Sequence, residues 1–425
     1  VAVKSKNESG LALIFVLSLV GVILAVLGEI LFQSQITVRT SVGERDRLKA
    51  EMSALTGAQF AKMLISLESQ INSLGGEDSG LPKEVQAAAS GASEMIKSQL
   101  GGKQLSQILD GFPIGAQGFD EIQDLAKLNI NAMLDDKLLA ALKAVPGYFV
   151  LKTTNESAKF NLNLLEGAEK KMSFLALKRI FSQEREAKFL EEKGYSPERL
   201  ASNVLDYVDR DNTDEIDRGD EETQYSQAKF DHKAKNGKLE SLEELRRVPG
   251  FHDDEIFAIF SPYFTVWPMD AKEKSLDINA APVELLAALV TPPNQEANQA
   301  AFDKIEDDRA ENTFVKDARN INDAFPGIDE ETKNMISRIG GIKSSVYRVE
   351  VRGVSNGIER VYTMVIETAK PKKGAATSGA PASPIPNPAA GTPPVAVPPG
   401  SSASSGGAAG GPSDSPIRIV YQRFQ

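Results

Sequence analysis

Leu11 to Phe32 is an almost unbroken apolar run, interrupted only by Ser18, Gly21, Gly28 and Glu29. Its first part, Leu11–Gly28, carries no charge and reaches the length of about 18 residues at which an apolar stretch reads as a membrane-spanning helix. Lys4 and Lys6 precede it, and basic residues before a span favour a cytoplasmic N-terminal side, with the rest of the chain across the membrane. A secretory signal peptide has a shorter apolar core of about 7–15 residues and a small-x-small cleavage site. This run is longer and lacks such a site, so it reads as a retained anchor. Glu29 lies near the outer end of the span, where it can reach the interface. After the span, Leu48, Met52, Leu55, Met63/Leu64, Leu67 and Ile71 keep helical spacing, predicting one helix from Leu11 to Ile71, half in lipid and half outside.

Composition narrows the function. The 425 residues contain no Cys and only 2 His. Disulfides, thiolate zinc sites and thiol catalysis are therefore excluded, and His-based relays are disfavoured. The net charge of −11 argues against nucleic acid, whose binding comes largely from basic residues releasing counterions. No nucleophile–base set stands out. Gly353-Val354-Ser355-Asn356-Gly357 spells a nucleophile-elbow pattern but lies between two strand patterns, where a strand-to-helix turn cannot form. It reads as a hairpin turn, the protein as no enzyme, and His232 and His252 as surface or interface residues.

The predicted fold class is α+β. Leu81–Ala144 shows short helical patterns, clearest at Lys137–Ala144. Tyr148–Leu165 reads as strands, apolar at Tyr148–Leu151 and then alternating at Phe160, Leu162 and Leu164 with Asn161 and Asn163. Ser345–Thr368 reads as a hairpin around Asn356-Gly357, the strongest short turn signal because both residues tolerate positive φ. Between these strands lies a helical insertion. From Glu166 to Lys343 it holds 38 acidic and 25 basic residues, a net −13. Two of its units read as helix, Pro-Gly turn, helix: Ser241–Phe251 into Asp253–Phe260, and Ile321–Ile328 into Asp329–Ile339. Val283–Val290 reads as a further helix, and Trp267 as part of a small core. Residues 371–416 are rich in Ala, Pro, Gly and Ser, a composition that cannot offset ordering entropy and predicts a disordered linker. Ile417–Phe424 then reads as a strand returning to the edge at Val361–Thr368, with Ile417, Ile419 and Tyr421 on its inner face.

The acidic stretch Asp206–Glu222 is the strongest candidate for chemistry. It holds nine carboxylates, offset only by Arg210 and Arg218. Calcium takes about six to eight oxygen ligands from a pliable loop. Asp209, Asp211, Asp217 and Asp220 fall at positions one, three, nine and twelve of an EF-hand count, but Asp214 stands where an EF-hand needs Gly. A solvated acidic loop is the alternative.

The junction of Val1–Ser9, Gly10 and Leu11-Ala12-Leu13-Ile14-Phe15 resembles the type IV prepilin family and the related pseudopilins of type II secretion, in which a peptidase cuts after the leader Gly. Most members carry Glu at the fifth mature position; here it is Phe15, a departure that resembles the minor pseudopilin K (GspK) family, which typically lacks that Glu. A carboxylate in lipid costs about 2.5–3.5 kcal/mol and in the family serves to pair with a neighbour's amine, which a subunit at a fibre end can dispense with. Phe160-Asn161-Leu162-Asn163, Leu205-Asp206-Tyr207-Val208-Asp209, Glu221-Glu222 with Tyr225, Leu242–Gly250, Ile278-Asn279-Ala280-Ala281-Pro282 and Val346–Thr368 are similar to GspK signatures in family order.

The resemblance implies a leader at 1–10, an N-terminal helix at 11–71 with its anchor at 11–32, the first part of a pilin-like domain with an extra helical segment at 72–165, an insertion domain at 166–343, a pilin-like hairpin at 344–370, the linker at 371–416 and a terminal strand at 417–425. It implies processing between Gly10 and Leu11, and calcium held by Asp209, Asp211, Glu221 and Glu222, with Asp217 from the loop count and Asp277 as a weaker candidate. The implied partners are minor pseudopilins I and J, the major pseudopilin and the prepilin peptidase. The implied place is the inner membrane, single-pass, with the bulk in the periplasm at the tip of the pseudopilus. The rival reading is an anchored DNA-uptake protein of helix-hairpin-helix type. Both Pro-Gly turns lack its second glycine and run into acidic helix starts, which repel phosphate.

Overall fold

The computed structural model describes residues 8–74, 109–116, 136–211, 213–216, 225, 231–271, 274–292, 299–310, 315, 322, 324–325, 327–368 and 417–424. The 371–416 linker, most of 81–135 and the second half of the acidic stretch lie outside them.

Helix α1 runs unbroken from Glu8 to Leu74, 67 residues, about 100 Å at 1.5 Å per residue. From Leu13 to Val42 its apolar side chains are exposed, and the helix is long and apolar enough to cross a membrane. From Asp46 onward one face is buried at helical spacing: Ala50, Ser53, Ala54, Gly57, Ala58, Ala61, Leu64 and Ile65. The apolar series that betrayed the helix is largely on another face. Leu48, Met52, Leu55 and Met63 are all exposed, whereas Leu64 and Leu67 pack inward. Close approach is the reason: a side chain at Gly353 would place its Cβ 2.1 Å from the Ala50 carbonyl oxygen, and one at Gly57 would come within 2.6 Å of Phe149. Only a small-residue face lets the helix lie this near the sheet.

That sheet has five antiparallel strands, β1 (Pro113–Ile114), β2 (Tyr148–Asn155), β3 (Val346–Ser355), β4 (Ile358–Thr368) and β5 (Ile417–Phe424), in this spatial order. Phe149, Leu151, Val349, Val351, Met364 and Ile366 form one core with α1. Val346 and Val365 join the other core, that of the insertion. The β3–β4 turn is Asn356-Gly357, with φ of +48° and +81°, as a two-residue turn of type I′ requires. Ser355 ends β3 and pairs with Ile358, so the elbow pattern is a hairpin. Helix α2, Asp136–Lys143, falls where the Lys137–Ala144 pattern predicted it.

β5 pairs with β4 as expected, from Tyr362↔Phe424 to Thr368↔Ile417, but with a register shift at Val365/Ile366. Ile419 opposes Ile366 and Tyr421 opposes Val365, leaving Val420 as an extra residue. Such a bulge moves the residues beyond it to the other face. Ile417 packs with the α1 core, Val420 with the insertion core, and the Tyr421 ring lies 6.0 Å from that of Trp267. The expectation that Ile417, Ile419 and Tyr421 share one face is therefore corrected, and the strand bridges both halves.

The insertion is helical, as expected: α3 (Lys170–Phe181), α4 (Glu184–Glu192), α5 (Pro197–Val208), α6 (Asp254–Phe260), α7 (Val283–Val290), α8 (Gln299–Ala310) and α9 (Glu330–Ile339). Two details differ. Phe160–Leu165 does not continue as an alternating strand. Only Phe160-Asn161 is extended, pairing with Phe264-Thr265, and Leu162–Leu165 is a 3-10 turn with all six residues buried. The asparagines cause this. Asn161 accepts from the Asn163 N–H at 2.9 Å, and Asn163 bridges the Leu239 and Val266 backbones at 2.7–3.0 Å. They do inside what water was expected to do outside. Leu242–Arg247 is likewise 3-10 rather than α-helical, closed by the Ser241/Glu244 capping box. Both Pro-Gly turns keep a left-handed glycine, Gly250 at +102° and Gly327 at +81°.

The two halves meet along a polar seam. Glu156 is fully buried, 3.0 Å from Arg348 of β3 and 3.2 Å from Lys159, and accepts from Thr265 at 2.5 Å. Ser344 donates to Asp277 at 2.5 Å and accepts from Asn155 at 2.6 Å.

Candidate functional site

The acidic loop leaves the C-terminus of α5. Pro197 at the start and Ser196 as cap, its hydroxyl accepting from the Arg199 N–H at 3.1 Å, set the start of α5. Its end brings Asp206 and Asp209 into the interior, each under 5% exposed. A carboxylate is unfavourable at a helix C-terminus, where the dipole is negative, so these groups need cations or donors.

Lys170, the first residue of α3, supplies one. Its Nζ lies 2.6 Å from Asp209 Oδ2 and 3.6 Å from Asp211 Oδ2. Burial opposes the lysine's charge, but Asp209, Asp211 and Glu215 outweigh it and hold its pKa above the ordinary value. Burial pushes the Asp209 carboxyl up despite Lys170. Among the described residues Asp209 Oδ1 and Glu166 Oε2 are buried without a hydrogen-bond donor, while Glu166 meets Arg210 through its other oxygen. Asp211 accepts from the Thr213 N–H at 3.0 Å, and its carbonyl accepts from Asn236 at 2.8 Å. Asp214 pairs with Arg199 at 2.8 Å. Asp206 accepts from Ser202 at 3.1 Å and the Glu215 N–H at 3.2 Å; burial first, then the Asp214 charge, push its pKa up to about 7.

The structure thus joins Asp209 and Asp211 through Lys170. Asp217, Glu221 and Glu222 lie outside the described residues. Asp277 belongs to a separate group, pairing in a two-residue parallel bridge with Gly341 and accepting from Ser344 and the Asn279 N–H. Burial raises its pKa against those bonds and the nearby Arg309. Among the described residues no three His, Asp or Glu side chains gather closely enough to hold a metal, so an ion here would need carboxylates from 217–222 as well. Asp209 and Asp211 offer the carboxylate oxygens that a hard cation takes, but the Lys170 ammonium already meets both. Sequence reading missed Lys170 and Glu166, whose relation to the loop is made only by α3 packing on α5.

Gly10 and Leu11 lie within α1. The Pro-Gly units lead into helices capped by acids, Asp253 accepting from Glu255 at 2.8 Å and Asp329 from Thr332 at 2.6 Å. A carboxylate already occupies each helix start where a phosphate would dock.

The architecture is that of a single-pass anchor carrying a large extramembrane body, in which a helix-backed antiparallel sheet is split by a helical insertion. Residues 158–269, from the seam through the acidic loop to Trp267-Pro268, match the family model of the type II secretion system protein K. Over this stretch the chain carries a domain similar to that of type II secretion protein K. Among solved structures it is similar to a chain of the GspK-GspI-GspJ complex from enterotoxigenic Escherichia coli, at 18% identity and a TM-score of 0.38, over 53% of this chain and 76% of that one. None of the curated proteins matches.

Proposed function

We propose that this protein is a minor pseudopilin at the tip of the periplasmic type II secretion pseudopilus, where it helps initiate assembly and export folded proteins across the outer membrane. The match of residues 158–269 to protein K, set behind a membrane-length helix, carries this reading. The prepilin peptidase cuts between Gly10 and Leu11, and the anchor passes from the inner membrane into the fibre above the major pseudopilin. Minor pseudopilins I and J are its direct partners, and calcium closes the acidic loop. The insertion, net −13 over 166–343, is too bulky for a repeating position and suits an end.

Co-purification of the full chain from detergent with tagged I and J subunits tests this: a ternary complex is expected, and its absence from membranes containing all three overturns the reading. N-terminal sequencing of the mature protein should begin at Leu11. Thermal melts in calcium should exceed those in chelator, because an ion bound only by the native state stabilises it; equal midpoints count against calcium.

A further inference from the structure

We infer that the outer edge of β5 is a docking site for an extended segment of another protein, one that alternates apolar with acidic residues and joins the sheet as a further strand. Among the described residues β5 pairs only with β4. The backbone N–H and C=O groups on its far side therefore stand unpaired, a ready template for strand addition. Outside α1, the exposed large apolar residues among those described are Ile216, Ile259 and three on this one strand, Ile419, Tyr421 and Phe424.

The two faces of β5 define what fits. Residues directly opposite in antiparallel strands share a face. Ile419, Gln422 and Phe424 oppose Ile366, Met364 and Tyr362, which are buried in the α1 core. Arg418, Tyr421 and Arg423 oppose Glu367, Val365 and Thr363, on the side where Val365 joins the insertion core. One face of the edge is thus largely apolar and the other basic. Both arginines are exposed, and among the described residues neither forms an ion pair, not even Arg418 with Glu367 across from it. A strand laid along this edge continues both faces only if its residues alternate, apolar beside Ile419 and Phe424 and acidic beside Arg418 and Arg423. A second copy of β5 fits poorly: the antiparallel register that pairs all eight residues sets Arg418 against Arg423, and like charges directly opposite are destabilising. Charge on an edge also serves to keep strands off, but guarding does not explain the exposed Tyr421 and Phe424. Their rings are steadied by Trp267 at 6.0 Å and Tyr362 at 4.7 Å, and beyond the bulge Tyr421–Phe424 keeps an unbroken register with β4.

The test uses the full chain in detergent micelles and fluorescein-labelled synthetic peptides of the length of β5. One alternates valine with glutamate and one valine with lysine. A third is the glutamate peptide with its backbone nitrogens methylated, which keeps the charge and removes the donors. In anisotropy titrations the glutamate peptide should bind saturably, the lysine peptide at least about tenfold more weakly, and the methylated peptide not at all. Arg418→Glu/Arg423→Glu should reverse the preference between the first two. Both side chains are exposed and unpaired, so this variant should melt like the parent and keep its Trp267 fluorescence.

No saturable binding of the glutamate peptide overturns the proposal, and the arginines then only guard the edge. Equal binding of the lysine peptide overturns the acidic pattern, and equal binding of the methylated peptide overturns strand addition in favour of a charge contact. A folded variant that keeps the parent's preference removes the site from β5. If the variant melts early, the parent's choice among the three peptides still decides. If the chain dimerises in sedimentation and truncation after Lys370 abolishes the dimer, a second copy occupies the edge, which overturns the proposal as well.

Discussion

The two cores are built on opposite principles. Between α1 and the sheet the contact is close and mostly apolar, made by Ala50, Ala54, Gly57 and Ala58 against Phe149, Val351 and Gly353. In the insertion, apolar packing is threaded by buried polar groups: Asn161 and Asn163 bridging backbones, and Arg179 donating from α3 to Leu289 at 2.9 Å and Thr332 at 2.6 Å. The first contact tolerates no added atoms and the second no lost partners. The difference suits the two tasks. A helix that leaves a membrane needs a firm, featureless seat, whereas an acidic insertion needs its charges held in place by specific donors.

The seam should be the most sensitive point. Glu156→Ala would leave Arg348 and Lys159 facing an emptied, buried site, and breaking a buried pair from one side costs about 3–5 kcal/mol. Chemical unfolding should show a loss of that order, or separate transitions for the two halves. A loss under about 1 kcal/mol, the scale of an exposed pair, would mean that the seam does not couple them. Gly353→Val attacks the contact between α1 and the sheet alone. Its Cβ would meet the α1 backbone at 2.1–2.5 Å, and overpacking of this kind costs about 1–3 kcal/mol or more. Leu48→Ala on the exposed face should change stability by no more than about 0.5 kcal/mol. Equal effects from the two would show the helix seat to be misplaced.

β5 touches both halves, so truncation after Lys370 should lower the melting point by a few degrees and alter the fluorescence of Trp267, the sole tryptophan. Deleting only Ala375–Ser413 should do neither. If both shortened proteins melt like the parent, the strand contributes nothing to either half. A separate effect is expected on pH dependence in chelator. The folded Asp206 pKa of about 7 exceeds the unfolded value of about 3.9, so between them the native state keeps a proton that the unfolded chain has lost. This contribution is full below about pH 4 and is lost as pH rises through about 7. Stability should therefore fall from about pH 5 to about pH 8, and Asp206→Asn should flatten the slope. An unchanged slope in the variant would acquit Asp206.

Much of this molecule was legible in the chain because it is local. The charge-free run after Gly10 demands a helix in lipid. Asn356-Gly357 demands the turn that joins β3 and β4, and Val283–Val290 forms a helix residue for residue as read. The net charge of −11, which turned the functional reading away from nucleic acid, needs no fold at all. Tertiary structure decided what depends on distant partners. It chose the alanine face of α1 over the leucine face, because only there can a helix touch Gly353 and Phe149. It turned Asn163 inward, because Leu239, 76 residues away, needed a backbone partner. It placed a bulge in β5 that gives Ile417 to one core and Val420 to the other, and it set Lys170 against Asp209 across 39 residues. Periodicity reports which way a side chain points along its own element, but the partner it meets is decided only when the elements pack.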